Sequence, residues 1–410
     1  MQGDPCVARL NGVGWVLDPD RGSYGPHSSH LPRHSFHLSA PHIKPLLQDE
    51  SGEAATHDRK RRKRWAAHAD ATDQDLVAKL AAAHKALMGL ESSKSFFSAE
   101  EPRACCALAR VPVDPAPLPV PQDEDDVRAG GLGSKSADED LNEEPLSLDP
   151  RKESRVTRGR LTVCATRGSA PCTLAGESYV VPPSSAFFLG DAAQGLRQLR
   201  IQYDLVVCDP PWPSKSRGKY YKTMTVQDLC SLPVGNCLNQ GGVLALWVTN
   251  DRKLVEAAQS EILPAWGLQA VETWFWLKVT CKGQLSSPLE SPHKKPFERV
   301  IIARQRGSGT GGKHELAGCP THDTQVIVSQ PAQHSRKPFL DPLLRPLVIP
   351  ARESGGGEPP PPDCPWGRGL EIFARELHEG WTSVGDECLL FQNTRHLQQA
   401  AFFKSNSKDH

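Results

Sequence analysis

Tyr203-Asp204-Leu205-Val206-Val207-Cys208-Asp209-Pro210-Pro211-Trp212 sets an acid, two prolines and a large aromatic directly after an apolar run. The prolines stiffen the turn and remove two N–H donors, which leaves the acid and the carbonyls as acceptors. If the apolar run is a parallel strand, the turn lies at the carboxyl edge, where open α/β sheets bind ligands. Such a corner suits an amino group on a flat ring. The 6-amino group of adenine is a poor nucleophile because its lone pair is delocalised into the ring. A catalyst must accept its N–H bonds and favour the pyramidal form. Asp209 can accept one and the Pro210 carbonyl the other, while Pro211 fixes the turn and Trp212 can stack on the base. An electrophilic methyl carbon in line with the lone pair completes the arrangement. Asp209 serves here as an acceptor ahead of any role as base, because a methylated ammonium sheds its proton readily. Asp-Pro-Pro is also ordinary loop chemistry after a strand, and that reading stays open.

The next residues run Lys215-Ser216-Arg217-Gly218-Lys219-Tyr220-Tyr221-Lys222. Lys215, Arg217, Tyr220 and Tyr221 interleave cations with aromatics, as grooves for single-stranded nucleic acid do. His293 and Lys294, followed by Lys295, form a second basic group. Solvated loops are the alternative for both. Trp247, Trp274, Trp276 and Trp381 sit in or beside strand-like runs and are expected to pack in the core.

The elements that must position these residues follow from period and punctuation. From Tyr179 onward short apolar runs alternate with helical periodicity, the pattern of an α/β domain with a mostly parallel sheet. Strands are expected at 186–189, 205–208, 243–248, 272–279, 300–304, 326–329 and 369–374, and helices at 226–232, 252–263 and 338–347. Gly/Pro-rich stretches near 305–320 and 350–367 read as surface insertions, and 396–410 as a flexible tail.

Residues 1–155 read as a mostly disordered extension. Val111–Pro121 is proline-rich and 123–149 is acidic with few large apolar residues. One helix is expected at about 72–89: Thr72 and Asp75 make a capping box, and Leu76, Val77, Leu80, His84 and Leu87 share a face that needs a partner. Arg59-Lys60-Arg61-Arg62-Lys63-Arg64 is a solvated cationic run, suited to a nuclear-import receptor or to nucleic acid. It points to the nucleus, with cytoplasm and mitochondrion left open. The whole chain of 410 residues carries 48 basic and 48 acidic side chains, so no global field draws it to a polyanion and any such attraction is local. Its 12 cysteines show no CxxC pair or recurring spacing, which argues against a zinc site or a disulfide framework. No apolar run is long enough to span a bilayer, so no membrane partner is expected.

Asp209-Pro210-Pro211-Trp212 is followed by Leu246-Trp247-Val248-Thr249-Asn250, Ser291-Pro292-His293-Lys294-Lys295-Pro296-Phe297-Glu298, Leu370-Glu371-Ile372-Phe373-Ala374-Arg375 and Gly380-Trp381-Thr382-Ser383. Over roughly residues 179–395 this series resembles the adenine N(6)-methyltransferases typified by the catalytic subunit of the messenger-RNA adenosine writer. The resemblance implies a Rossmann-like, S-adenosylmethionine-dependent methyltransferase domain in permuted motif order. It implies activity on nucleic acid, with adenosine in small nuclear RNA favoured and DNA adenine as runner-up. Donor-binding positions then fall on Asp191, Ala192, Asp209, Lys337, Arg375, Asp386 and Glu387, and substrate-facing ones include Asn250, His293, Lys294 and Glu298. Where the family carries Asn after the arginine, this chain has Glu376, which puts one donor contact in question. Asp386 replaces a second Asn but can still accept hydrogen bonds from ribose hydroxyls. No metal is implied, and oligomeric state is left open with a monomer favoured. A catalytically inactive RNA-binding subunit with a decayed site is the competing reading. A nuclear scaffold acting through the extension is a third. The enzyme reading requires an open corner at Asp209 with a cavity beside it.

Overall fold

A computed structural model describes residues 7–10, 14–17, 30–32, 71–89, 144–166, 168–213, 223–280, 283–291, 295–306, 325–329, 331, 336–355, 369–394 and 397–399. In chain order the elements are strands β1 (Val7–Leu10), β2 (Gly14–Leu17) and β3 (His30–Pro32), helix α1 (Ala71–Gly89), then β4 (Leu146–Ser147), β5 (Ser154–Arg155), β6 (Leu161–Cys164), β7 (Ala170–Leu174), β8 (Glu177–Val181) and β9 (Ser185–Leu189). Helix α2 (Ala192–Gln198), β10 (Tyr203–Cys208), α3 (Val226–Cys230), β11 (Leu238–Val248) and α4 (Arg252–Ala257) follow. The chain continues through β12 (Leu268–Lys278), β13 (Phe297–Gln305), β14 (Val326–Ser329), α5 (Asp341–Gly355), β15 (Gly369–Ile372), β16 (Trp381–Gly385) and β17 (Leu397–Gln399).

Twelve strands form one mixed sheet in the order β1-β2-β14-β12-β13-β11-β10-β15-β16-β9-β6-β4. Its middle is parallel: β11 with β10, β10 with β15, β15 with β16 and β16 with β9. Strand β13 runs antiparallel between β11 and β12, so its first residues lie at the same edge as the last residues of its neighbours. That edge gathers the residues after β9, β10, β11, β15 and β16, the end of β12 and the start of β13.

Strand β10 shows why the middle holds. Parallel strands covered on both faces read as continuous apolar runs, and Leu205, Val206, Val207 and Cys208 are all buried. Val206 and Cys208 pack with Leu196, Leu229, Leu246, Val248, Ile262 and Trp266, beneath α2, α3 and α4. Leu205 and Val207 face the other way, toward Trp247, Trp274, Trp276, Trp381 and the Leu343, Leu344 and Leu347 row of α5. The four tryptophans are at most 2 % exposed, so they are core residues as expected.

Helix α1 begins one residue ahead of Thr72, and its stripe has a partner. Leu76, Leu80, Ala83 and Leu87 pack on Phe275, Leu277, Phe297, Val326 and Val328 of the large sheet and on Leu289 beside it. Asp73 pairs with Arg252 at 2.5 Å, and the His84 ring nitrogen Nε2 lies 2.8 Å from the Gly283 carbonyl oxygen. Strand pairing starts well ahead of residue 179, with β4 to β7, and β2 pairs in parallel with β14. The basic run 59–64, the proline-rich segment 111–121, residues 307–320 and residues 356–367 lie outside the described residues. Residues 350–355 belong to α5 and 397–399 to β17.

Candidate active site

Asp209 follows β10 directly, and its backbone N–H donates to the Ile372 carbonyl of the neighbouring strand at 3.3 Å. The Trp212 N–H donates back to the Pro210 carbonyl (2.8 Å), and the Met224 N–H donates to the Pro211 carbonyl (3.0 Å). The ends of the 213–223 loop are thereby held together at this corner. A carbonyl has two lone pairs, so Pro210 keeps acceptor capacity beyond its bond to Trp212.

The Asp209 side chain is 24 % exposed and lines a narrow cleft. Counted out to its open mouth the cleft measures about 480 Å³, and Trp247, Lys337, Phe339, Glu371, Arg375 and His378 are among its walls. Lys337 Nζ donates to Asp209 Oδ2 at 2.8 Å and lies 3.2 Å from Glu298 Oε2. Lys278 donates to the other side of Glu298. Burial opposes the charge of Lys337, but Asp209 and Glu298 outweigh it and raise the ammonium above its usual range. Burial likewise works against the Glu298 carboxylate, yet Lys337 and Lys278 prevail and hold it at about 2. The result is a fixed row of alternating charge from Lys278 through Glu298 and Lys337 to Asp209.

Arg375 leaves the end of β15 and pairs with Glu387 at 3.0 Å, after β16. Between the end of β15 and Arg375, Phe373 adopts φ 63°, a left-handed conformation uncommon for a residue with a side chain and one that clusters at functional sites. Asp386 is exposed and lies 3.6 Å from Arg158. Asp191 caps α2, its carboxylate accepting the Gln194 N–H at 3.0 Å, and Ala192 is buried behind it. Asp191 follows β9, three strand spacings from β10, or about 14 Å along the edge. The expected donor positions Asp191, Ala192, Asp209, Lys337, Arg375, Asp386 and Glu387 therefore share one sheet edge.

The remaining expected residues divide. Asn250 donates its amide to the Phe297 carbonyl (2.6 Å), while its Oδ1 is buried without a hydrogen-bond partner. Glu298 is engaged by two lysines, so here it orders Lys337. Lys215, Arg217, Tyr220, Tyr221, His293 and Lys294 lie outside the described residues. Trp212 is 5 % exposed, packed among Cys208, Leu246 and Val248, and its indole N–H donates to the Trp247 carbonyl at 2.8 Å. In this arrangement the ring braces the corner, and offering a face to a base would require it to move.

Sequence reasoning missed a buried group on the cleft wall. Arg336 and Glu376 form a bidentate pair, with Arg336 Nε 2.9 Å from both carboxylate oxygens, and their side chains are 3 % and 6 % exposed. Burial disfavours the Glu376 carboxylate, and Arg336 more than offsets that, holding its pKa below the usual value. The residue that departs from the resembled family is thus matched by an arginine of its own. His378 stacks on Phe339 at 4.0 Å and lies 3.3 Å from Glu371, whose carboxyl is pushed up by burial. The sequence signal within reach was Arg336, which adjoins Lys337.

Residues 203–387 match the model of the MT-A70 family. They form an MT-A70 domain. The match starts at β10 and ends at Glu387, so it spans the corner, the cleft and Arg375. The chain is 35 % identical over 228 residues to the N(6)-adenine-specific methyltransferase METTL4 of Homo sapiens, covering 54 % of this chain and 45 % of that protein. It is 35 % identical over 229 residues to the N6-methyladenosine RNA methyltransferase MTA1 of Pyricularia oryzae, covering 52 % and 55 %. It is 33 % identical over 226 residues to a DNA N6-methyl methyltransferase of Caenorhabditis elegans, covering 53 % and 55 %. The chain spans about half the length of the curated relatives it matches. Outside the MT-A70 domain, β1, β2 and α1 complete the same sheet and core.

Proposed function

We propose that this protein transfers a methyl group from S-adenosylmethionine to the 6-amino group of adenine in nucleic acid, with RNA favoured over DNA. The Asp209–Lys337 ion pair at the open carboxyl edge of β10 carries the reading. The cleft suits a zwitterionic, cationic donor: Asp209 can receive an ammonium, while Lys337 and Arg375 can receive a carboxylate or ribose hydroxyls. The Trp247 indole N–H, buried on the cleft wall with no hydrogen-bond partner, offers one further donor. When bound, the donor supplies an electrophilic methyl carbon on a positive sulfur.

The chain's own residues do the rest. Lys337 fixes the rotamer of Asp209, so that its carboxylate meets the entering amine without reorganising. The Pro210 carbonyl accepts the second N–H, and the Trp212–Trp247 bond keeps that carbonyl in place. Leu246, Val248 and Cys208 pack beneath the corner and exclude water from its base. Relatives named for RNA and for DNA both occur, and stacking and phosphate contacts read either polymer. The basic run 59–64 supports a nuclear location.

The test incubates the purified full-length chain with labelled donor and matched RNA and DNA oligonucleotides. Asp209→Ala should abolish transfer and Trp212→Ala should lower it severely, with donor binding followed by calorimetry. Wild-type rates in both variants overturn the site, and donor binding without transfer to either polymer favours the inactive-subunit reading.

A further inference from the structure

On the opposite face of the sheet from Asp209, at the same edge, Lys295 of the expected basic group lies with two arginines that no motif marked, Arg252 and Arg299. Arg299 pairs with Val248 at the end of β11, Arg252 opens α4 just beyond, and Lys295 precedes β13. Lys295 lies 5.4 Å from the Phe297 ring centroid and Arg299 lies 5.6 Å from that of Phe275. Among the described residues neither Lys295 nor Arg299 has a hydrogen-bond or ion-pair partner. Both are half-buried, where an unpaired charge is costly.

Burial lowers the pKa of both, and neighbouring cations lower them further, with Arg252 acting on each and only Asp73 acting in opposition. Arg252 is paired with Asp73 but its side chain remains 64 % exposed. Arg252, Arg299, Gln259 and Ser260 line an open cleft together with Val255 and Glu256. Gln259 and Ser260 project from a single π-helical turn, Ala258–Ile262, that directly follows α4. Such turns recur at functional sites. Two polar side chains and two arginines, set against the single Glu256 carboxylate of the lining and reinforced by Lys295 nearby, make a receptor for an anion that bears several acceptor oxygens.

We propose that the cleft lined by Arg252 and Arg299, with Lys295 close by, binds a backbone phosphodiester of the nucleic acid that enters the active site, holding the strand at the far side of the catalytic corner. The inference rests on the methyltransferase reading for the identity of the strand. The cleft opens beside Asn250 and Asp251, at the exit of β11, so a strand seated there reaches the mouth at Asp209 along a single edge. An acidic peptide would meet the same charges, but its carboxylates are spaced irregularly and its chain carries no fixed register to a buried acceptor pocket.

The experiment measures anisotropy of labelled single-stranded RNA and DNA oligonucleotides with the full-length chain, without donor, from 50 to 300 mM salt, for wild type, Arg252→Gln, Lys295→Gln and Arg299→Gln. An Arg151→Gln variant, at the distant β4 edge, serves as control. Each lost contact should reduce the slope of log affinity against log salt by about 0.7 and weaken binding several-fold at low salt. Donor affinity and melting temperature of Arg252→Gln and Lys295→Gln should match wild type, which keeps the result readable should Arg299→Gln unfold. Equal losses on RNA and DNA support a phosphodiester contact. Losses on one polymer only, losses matched by labelled polyglutamate, or slopes equal to wild type in Arg252→Gln and Lys295→Gln overturn the cleft while leaving the active site standing. A wild-type chain that binds donor but no oligonucleotide at any salt overturns the nucleic-acid reading itself.

Discussion

Replacing Glu376 by Gln keeps its shape and removes its charge, which leaves the Arg336 guanidinium 3 % exposed and without its carboxylate. Breaking a buried ion pair from one side typically costs about 3–5 kcal/mol, because the remaining charge is desolvated and uncompensated. His378 Nε2 lies 3.8 Å from Glu376 and relieves none of that positive charge. With about 2–4 °C of melting temperature per kcal/mol for domains of this size, the loss is roughly 6–20 °C. Arg336→Met with Glu376→Leu removes both charges, and such replacements are often neutral within about 1 kcal/mol. Differential scanning calorimetry and urea titration of wild type, Arg336→Met, Glu376→Leu and the double variant measure the cycle, with Glu376→Gln alongside. Donor affinity should fall in Glu376→Gln and partly return in the double variant, since Lys337 directly follows Arg336 and takes its position from it. A single variant that loses under about 1 kcal/mol, or a double variant no better than the worse single, refutes the pairing as the support of this wall.

The Glu298 carboxyl, held at about 2, contributes stability that is present above its ordinary value and lost as pH falls through the interval down to about 2. The sign is that of a depressed acid, on the order of 2 kcal/mol, so urea midpoints measured from pH 6 to pH 3 should fall more steeply for wild type than for Glu298→Gln. Leu80→Ala empties a fully buried position of α1 and should cost about 2–5 kcal/mol, read first as faster proteolysis between residues 71 and 89. Gly235→Ala would place a methyl 2.0 Å from the Trp266 carbonyl oxygen, which is backbone and cannot rotate away. A loss of roughly 1–3 kcal/mol by calorimetry is expected there.

The strands with apolar runs of four residues or more were legible because a parallel strand buried on both faces has no polar alternation to conceal it, as in Leu205 to Cys208. Strand β16 was not: Trp381-Thr382-Ser383-Val384-Gly385 is half polar, and only its position between β15 and β9 buries Thr382 and Ser383. Strands β1 and β2 are four residues each, and β2 pairs with β14 across some 300 positions, a contact that no local pattern encodes. Charges divided in the same way. Asp209 announced itself by its prolines, whereas Arg336, Glu376 and His378 look like surface residues until the fold removes their water. Arg299 was equally silent, because it lies inside a strand, whereas Lys295 stood out only as part of the basic group with His293 and Lys294.

Helix α1 covers the outer strands of the sheet with Leu76, Leu80, Ala83 and Leu87. Trimming the chain to residues 179–395 would strip that cover from Leu277, Leu289 and Val328 and remove both strands outside β14. A chain shortened in that way would present a wet apolar flank with an open strand edge, and self-association would compete with folding. Helix α1, with β1 and β2, thus shields this flank from within the same chain, and any trimmed version must carry them or a substitute for them.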